Sequence, residues 1–362
     1  MSKTDRIYGL DLMRFCAIFS VLFSHTLYIA IVPDFPKLEF VAALLGFIGV
    51  EVFFVLSGFL IGGILLEKLD KKIYLVALKH FWLRRWFRTF PNYYLFLLIN
   101  ILLFVRDFTD ITPIWRYFFF FQNFFSESRK FYPESWSLAI EEWFYVLFPI
   151  IILLLSKIWP HKTFKYNFAF AAISLLAIIT LARTLYIIMA LPKWDLELRH
   201  VLVYRLDAPI YGVIAAFLQK FYAIYWNKKT TSYLTFALIL FFIGLYFFKA
   251  ISTNQESDTI ALILIFPCYS LAFSLLLPQL SDWRTQTTFI SKWIERISIW
   301  SYSLYLCHLP LGSFFKKYIF INSSNIIITI TGMLLYVSSS IILAGVIFRY
   351  FETKLTNLRE RF

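Results

Sequence analysis

Residues 43–66 read ALLGFIGVEVFFVLSGFLIGGILL, and Glu51 is the one charged residue in this stretch. About 20 consecutive apolar residues are enough to cross the hydrocarbon core of a bilayer as a helix. Similar stretches recur along the chain, which is 60% hydrophobic and 16% charged, whereas soluble domains carry roughly a quarter charged residues. The sequence therefore predicts an all-α, polytopic membrane bundle of about ten transmembrane helices. The predicted spans are roughly residues 7–31, 43–66, 86–105, 138–157, 166–190, 203–220, 232–250, 258–278, 296–315 and 325–350.

Residues 112–126, TPIWRYFFFFQNFFS, are apolar but short for a span, and they predict a re-entrant or interfacial element. If this segment crossed the membrane, the number of spans would change. Lys and Arg are more frequent in the loops that face the cytosol when both termini are cytosolic, and this is the usual bias of membrane proteins. We therefore expect one membrane domain over residues 1–362 in the plasma membrane, with both ends inside and no appended soluble domain.

The net charge of +13 would suggest a nucleic-acid partner in a soluble protein. Here the basic residues lie between apolar spans, so they indicate membrane topology and contact with anionic lipid headgroups. Cys16, Cys268 and Cys307 each lie in an apolar segment, without the spacing of a metal site or a disulfide framework. We expect a lipid bilayer as partner, no nucleic acid, no metal and no permanently bound cofactor. Nothing in the pattern indicates an oligomeric state.

The first span, YGLDLMRFCAIFSVLFSHTLYIA, contains Asp11, Arg14 and His25. Ionisable residues are costly in a membrane and usually face a bundle interior or a watery cavity. Arg14 and His25 are eleven residues apart, which is three helical turns plus about 20°, so they share a face about 16 Å apart. Asp11 lies on that face and could pair with Arg14. The alternative is that Arg14 extends to the interface and His25 serves packing alone.

Two acids, Glu141 and Glu142, lie in ESWSLAIEEWFYVLFP at the outer start of the fourth span. Acids in the first turns of a helix complement its dipole, and Glu142 fits that explanation. Glu141 is predicted at about the depth of His25, where a carboxylate could fix the tautomer of the histidine and support its protonated form. The sequence does not establish contact between the two.

Several further residues carry charge or chemistry. In KHFWLRRWFRTFPNYY, Arg84 and Arg88 share a helix face next to Arg85, which suits either a phosphate-bearing donor or lipid headgroups. Arg205 and Asp207, in VYRLDAPIYGVIAA, could pair or organise an outer cavity. His308, in WSYSLYLCHLP, is favoured as a core residue.

These segments resemble the acyltransferase-3 family of integral-membrane O-acyltransferases, which includes bacterial polysaccharide and O-antigen O-acetylases. Arg14 and His25 match the Arg-x10-His pattern of that family. The resemblance continues in order through LDLMRF, GVEVFFVLSGFLI, the arginine cluster, SWSLAIEEWFYVLFP, YRLDAPIYGVIAA, YSLYLCHLP and RYFET at 349–353. Each motif is weak alone, but the ordered set covers nearly the whole chain. Some family members append an SGNH-type esterase domain, which is not expected here.

The resemblance implies an acyl-CoA donor, usually acetyl-CoA, that enters from the cytosol, and a hydroxyl acceptor on a cell-envelope glycan or lipid-linked sugar. It implies that His25 is the essential histidine, Arg14 its companion and Glu141 the acid. Arg84, Arg85 and Arg88 match the basic cytosolic cluster of the family, and we expect the phosphates of the donor to dock there. His25 would act as a general base or as a transient acyl carrier. A transporter or flippase of a lipid-linked saccharide is the alternative function. The supporting residues are Asp11, Glu142, Ser137, Arg205, Asp207 and His308.

Overall fold

The computed structural model describes residues 6–31, 35–69, 74–104, 113–126, 131–228, 231–253, 258–284, 288–320 and 325–361. Within these ranges the protein is helical and contains no β-strand, which confirms the all-α prediction. The helices are α1 (Tyr8–Ala30), α2 (Glu39–Leu69), α3 (Tyr74–Phe104), α4 (Trp115–Phe118), α5 (Ser135–Ile158), α6 (Phe164–Ala190), α7 (Ala208–Phe221), α8 (Ala223–Asn227), α9 (Thr231–Thr253), α10 (Thr259–Leu280), α11 (Phe289–Phe315), α12 (Ile326–Ile347) and α13 (Thr353–Asn357).

Each predicted span overlaps one of the helices, but several boundaries differ. The helices α3, α5 and α11 begin at Tyr74, Ser135 and Phe289, each ahead of its predicted start. The predicted span 203–220 is helical only as α7, because a 3₁₀ turn at Leu202–Tyr204 precedes it. Pro209 lies in the first turn of α7, where its missing N–H leaves no hydrogen bond unmade and favours a helix start. The apolar segment 112–126 contains only the single turn α4 in its described residues, so it forms no long helix.

Seven helical stretches of the described chain are long and apolar enough to cross a membrane, which confirms a polytopic membrane protein. They are α1, α2, α5, α6, α9, α10 and the stretch that begins with α12 at Ile326. The helix α7 has only 14 residues, and α3 and α11 carry more charged and polar side chains. A total of ten spans with both ends in the cytosol stays a prediction.

The chain divides into two compact units. Unit 1 comprises residues 1–52, 84–107 and 280–362, and unit 2 comprises residues 53–83 and 108–279. In unit 1, α1 packs against α11 and α12. The N-terminal half of α2 also lies close to α1, because Gly46 and Gly49 leave no room for a side chain beside Ser24 and Ala17. Small residues at such positions let helix backbones approach closely in membrane proteins.

Unit 2 contains the helices α4 to α10, together with the C-terminal half of α2 and the start of α3. The helix α6 packs against α5 and α7. Gly58 of α2 faces the backbone of Pro209 in α7, and Gly212 of α7 faces the backbone of Val55 in α2. A Cβ atom at either glycine would collide with the opposite main chain, so the crossing of α2 and α7 requires glycine on both helices.

Candidate active site

Two polar contacts join α1 to α11 in unit 1. Arg14 donates from Nη1 to Ser298 Oγ over 3.1 Å, and Nδ1 of His25 lies 2.8 Å from Nε2 of His308. Both side chains of α1 therefore point towards the same neighbouring helix, which confirms that they share a face. The contacts advance in the same order along α1 and α11, so the two helices run parallel. We call Asp11, Arg14, His25, Ser298 and His308 the polar seam.

At one end of the polar seam, the carboxylate of Asp11 is held by three donors. Arg6 donates to its two oxygens at 2.6 and 3.0 Å, and the hydroxyl of Ser298 donates at 2.7 Å. The predicted contact with Arg14 is the longest of the set, at 3.5 Å. Because Ser298 accepts from Arg14 while it donates to Asp11, the serine links the acid and the arginine. No sequence motif pointed to Ser298.

The arginines of α3 belong to the same unit as this end of the seam. Arg85 and Arg88 act on Arg14 electrostatically, as does Arg6, and all of them repel its charge. Asp11 is the acid that acts on Arg14 in return. The arginines outnumber the carboxylates that act on them, Asp11 and Glu352, so the cluster suits a multiply charged anion such as a phosphate. Arg84 is exposed and is not among the charges that act on Arg14.

At the other end of the seam, His25 is half-buried and His308 is fully buried. The two imidazole rings are inclined by 26°, and their centroids lie 4.9 Å apart. The distance between the centroids is close to the sum of the 2.8 Å N···N distance and the two ring radii. The line between the two nitrogens therefore lies nearly in the plane of each ring. The contact is therefore a hydrogen bond between rings and not a face-to-face stack. Nδ1 of His308 lies 3.1 Å from the carbonyl oxygen of Leu304.

A second buried cluster in unit 1 joins α3, α11 and the helical segment Phe348–Glu352 that follows α12. Glu352, 5% exposed, accepts from Asn92 Nδ2 at 2.8 Å and from Ser303 Oγ at 2.6 Å, and it interacts electrostatically with Arg88. Asn92 follows Arg88 by one helical turn, so this cluster holds the part of α3 that carries the arginine. The RYFET match contained Glu352, but the sequence did not mark it as a site residue.

In unit 2, the predicted acid Glu141 is half-buried and accepts two hydrogen bonds of 2.9 Å, from Ser57 Oγ and from Tyr145 OH. Its helix α5 begins at Ser135, three residues before the predicted start. Glu141 and Glu142 are therefore its seventh and eighth residues, and the explanation of Glu142 by the helix dipole was wrong, since that effect fades after the first turn. Glu142 is 6% exposed, and Ser137 donates to the carbonyl of Glu134.

The predicted pairing of Arg205 with Asp207 is replaced by another pair. Arg183 of α6 donates to Asp207 at 2.7 Å and to the carbonyl of Tyr204 at 2.8 Å. The guanidinium of Arg205 lies 3.7 Å from the centroid of the Phe266 ring, a cation–π contact. Arg183, Arg205 and Asp207 are all fully buried, and we call them the buried ion cluster. Arg183 was overlooked, although it is the one charged residue in the middle of the apolar run 166–190.

The segment before α5 is anchored by two buried amides. Asn123 donates to the carbonyls of Trp136 and His200, and Gln122 donates to the carbonyl of Ser135. Burial raises the pKa of Glu134, which lies just outside α5, to about 8. Among the described residues, no group of three or more His, Cys, Asp and Glu side chains is arranged to hold a metal ion.

The fold and the polar seam define a polytopic helical membrane protein with paired histidines and a basic cluster. Residues 7–349 match the family model described as "Acyltransferase domain", and the chain belongs to this acyltransferase-3 family. It is 30% identical over 378 residues to "Putative O-acetyltransferase SACOL0978" of Staphylococcus aureus, an alignment that covers 97% of this chain and 57% of that relative.

A shorter similarity connects the chain to peptidoglycan O-acetyltransferase OatA of Listeria monocytogenes. The two are 33% identical over 178 residues, which covers 43% of this chain and 26% of OatA. The chain thus spans little more than half the length of the relatives that it matches over most of its own length. No solved structure matches this protein.

Proposed function

We propose that this protein is a membrane O-acyltransferase that moves an acyl group, most simply acetyl, from cytosolic acyl-CoA to a hydroxyl of a cell-envelope glycan or lipid-linked sugar. The observation that carries the proposal is the polar seam, which joins Arg14 and a histidine pair along the interface of α1 and α11 in unit 1. Arg85 and Arg88 of α3 act electrostatically on its Arg14. A protein that only packs its helices has no need for this combination, because ionisable side chains within membrane helices are costly.

His25 acts as the general base on the acceptor hydroxyl. The imidazole takes the hydroxyl proton, the oxygen attacks the thioester carbonyl carbon, and the carbon–sulfur bond breaks. The departing CoA thiolate then receives the proton from the imidazolium, so histidine and charge return to their starting state. In the covalent variant, His25 first takes the acyl group from the thioester and then gives it to the hydroxyl. A positioned base contributes roughly 10²–10⁴ to the rate.

The basic cluster of Arg14, Arg85 and Arg88 binds the phosphates of the donor. Guanidinium groups pair with phosphate oxygens through two parallel hydrogen bonds, and a bound phosphate would relieve the mutual repulsion of these arginines. Arg84 was predicted in the same site and keeps that role as a prediction. The role predicted for Glu141, support of the imidazolium, likewise stays a prediction.

Peptidoglycan is the first acceptor to test, because the name of the relative OatA specifies it. The full chain is reconstituted in vesicles with radiolabelled acetyl-CoA and soluble peptidoglycan fragments, and label on the glycan is measured. The variant His25→Ala is expected to lose at least about 100-fold of the transfer rate. Cys16→Ala, at an exposed position of the same helix, is the matched control and should transfer like wild type.

Transfer by His25→Ala at the wild-type rate would refute the proposed mechanism. Hydrolysis of acetyl-CoA that depends on added glycan separates an enzyme from a transporter, since a transporter would show none. If peptidoglycan accepts no label while another envelope glycan does, the acceptor is corrected and the transferase assignment stands.

A further inference from the structure

The partner of His25 is itself a histidine, and its surroundings restrict where the protons lie. His308 Nδ1 is 3.1 Å from the carbonyl oxygen of Leu304, four residues earlier in α11. A carbonyl oxygen can only accept a hydrogen bond, so Nδ1 of His308 carries a proton. In a neutral imidazole the other nitrogen then has the lone pair, and Nε2 of His308 is an acceptor.

The proton between the two rings must therefore come from His25. With Nε2 of His308 accepting, Nδ1 of His25 donates over the 2.8 Å contact. A neutral His25 that carries its proton on Nδ1 has its lone pair on Nε2. The hydrogen bonds of His308 thus select one of the two tautomers of His25, and it is the tautomer whose Nε2 can take a proton.

A charged His308 would reverse this assignment, but its surroundings disfavour the charge. The side chain is 0% exposed, and the hydrogen-bond and aromatic partners of its ring among the described residues are His25, Leu304 and Tyr305. None of these supplies a carboxylate. A buried imidazolium without a negative partner is costly, whereas the neutral ring satisfies both hydrogen bonds.

We propose that His308 is a positioning residue that holds His25 in the tautomer with its lone pair on Nε2. The catalytic role of this tautomer rests on the proposed function, whereas the assignment of the hydrogen bonds does not. When His25 accepts the proton of the acceptor hydroxyl at Nε2, its Nδ1–H remains bonded to His308, and the bond becomes charge-assisted. No proton has to pass to His308. In serine proteases a carboxylate orients the histidine, and here a neutral histidine does so.

The assignment is tested first without activity, by nitrogen NMR of the full chain with ¹⁵N-labelled histidine in lipid nanodiscs. We expect protonated Nδ1 and unprotonated Nε2 on both His25 and His308, with a scalar coupling between His25 Nδ1 and His308 Nε2. Signals are assigned with His25→Ala and His308→Gln. An unprotonated Nδ1 on His25, or two protonated nitrogens on His308 at neutral pH, would overturn the proposal.

Transfer kinetics test the consequence. His308→Leu removes the acceptor and should lower kcat at least about tenfold while KM for acetyl-CoA stays unchanged, because the donor site is intact. His308→Gln places an amide oxygen near the position of Nε2 and should restore most of kcat. The buried neighbour Cys307→Ala is the packing control and should match wild type.

The pattern of failures separates the two proposals. If His25→Ala loses transfer but His308→Leu keeps the wild-type kcat, only the positioning role is wrong. If His25→Ala keeps transfer, the proposed mechanism itself is wrong, whatever the tautomers are. Should His308→Leu fail to fold, the NMR assignment of the wild-type protein still decides the tautomer.

Discussion

The polar seam of unit 1 and the buried ion cluster of unit 2 hold charge in different ways. In unit 1, the polar seam has half-buried members, since His25 and Arg14 are both partly exposed. In unit 2, Arg183, Arg205 and Asp207 are fully buried, and Arg183 is paired with Asp207 at 2.7 Å. Partly exposed ionisable groups can meet a substrate, whereas a closed ion pair serves the fold. The difference indicates that a charged residue in an apolar chain marks a reactive site only where a substrate can still reach its side chain.

The comparison is tested most strongly by breaking the buried pair of unit 2. Arg183 donates to Asp207 and to the carbonyl of Tyr204. Asp207→Ala removes the first acceptor and leaves a buried, charged arginine that keeps only the second of these two hydrogen bonds. Removing one partner of a buried pair costs about 3–5 kcal/mol of folding free energy. We expect a large loss of thermal stability in detergent or nanodiscs, measured by unfolding followed with tryptophan fluorescence.

The matched control for this loss is Asp195→Ala in the same unit. Asp195 pairs with Arg199 at 3.1 Å but is 35% exposed, so its removal should cost at most about 1 kcal/mol. The double variant Arg183→Leu, Asp207→Leu removes both charges and should recover much of the stability. If Asp207→Ala were as stable as Asp195→Ala, the buried pair would not hold the fold of unit 2.

The sequence predicted part of the polar seam and missed its partners for a physical reason. Helical periodicity is local, so it placed Arg14 and His25 on one face correctly. Their contacts on α11, Ser298 and His308, are 284 and 283 residues away, and no local pattern encodes such pairs. His308 was recognised as a residue of a motif, but the periodicity of one helix does not predict which side chain of another helix it contacts.

The same limit explains the errors in unit 2. Arg205 and Asp207 are two residues apart, and on a regular helix such residues point in different directions. Proximity in sequence suggested a pair, whereas Asp207 instead meets Arg183 from the preceding helix. The start of α5 was placed late because Ser135, Trp136 and Ser137 read as polar or interfacial residues, although all three are buried in the fold.

A smaller effect is expected at the basic end of the polar seam. Among the charged groups that act on Arg14, Arg88 has the largest effect. Arg88→Gln removes this charge and should weaken binding of the donor phosphates. We expect KM for acetyl-CoA to rise about tenfold, which equals about 1.4 kcal/mol, with kcat little changed. The measurement is initial transfer rate against acetyl-CoA concentration at low salt, where electrostatic effects are largest.

Lys79→Gln is the control for Arg88→Gln, because it removes one exposed positive charge from the same helix α3. If both variants raise KM equally, the effect reflects the general positive charge of the protein and not a donor site. A donor analogue without phosphates should show no preference for wild type over Arg88→Gln.

The smallest predicted effect concerns a carboxyl group of unit 2 that lies outside the membrane helices. Burial raises the pKa of Glu134 to about 8, above its ordinary value of 4.5. The folded protein therefore holds this proton more tightly than the unfolded chain, and stability falls as pH rises from 4.5 towards 8 and levels off above it. Between pH 7 and pH 9 the remaining loss of stability is about 1 kcal/mol.

Glu134→Gln, which carries no titrating proton, should lack that loss, so its stability advantage over wild type should grow between pH 7 and pH 9. Unfolding midpoints measured at both pH values decide the matter: parallel curves for the two proteins would show that Glu134 is ionised in the folded state at neutral pH.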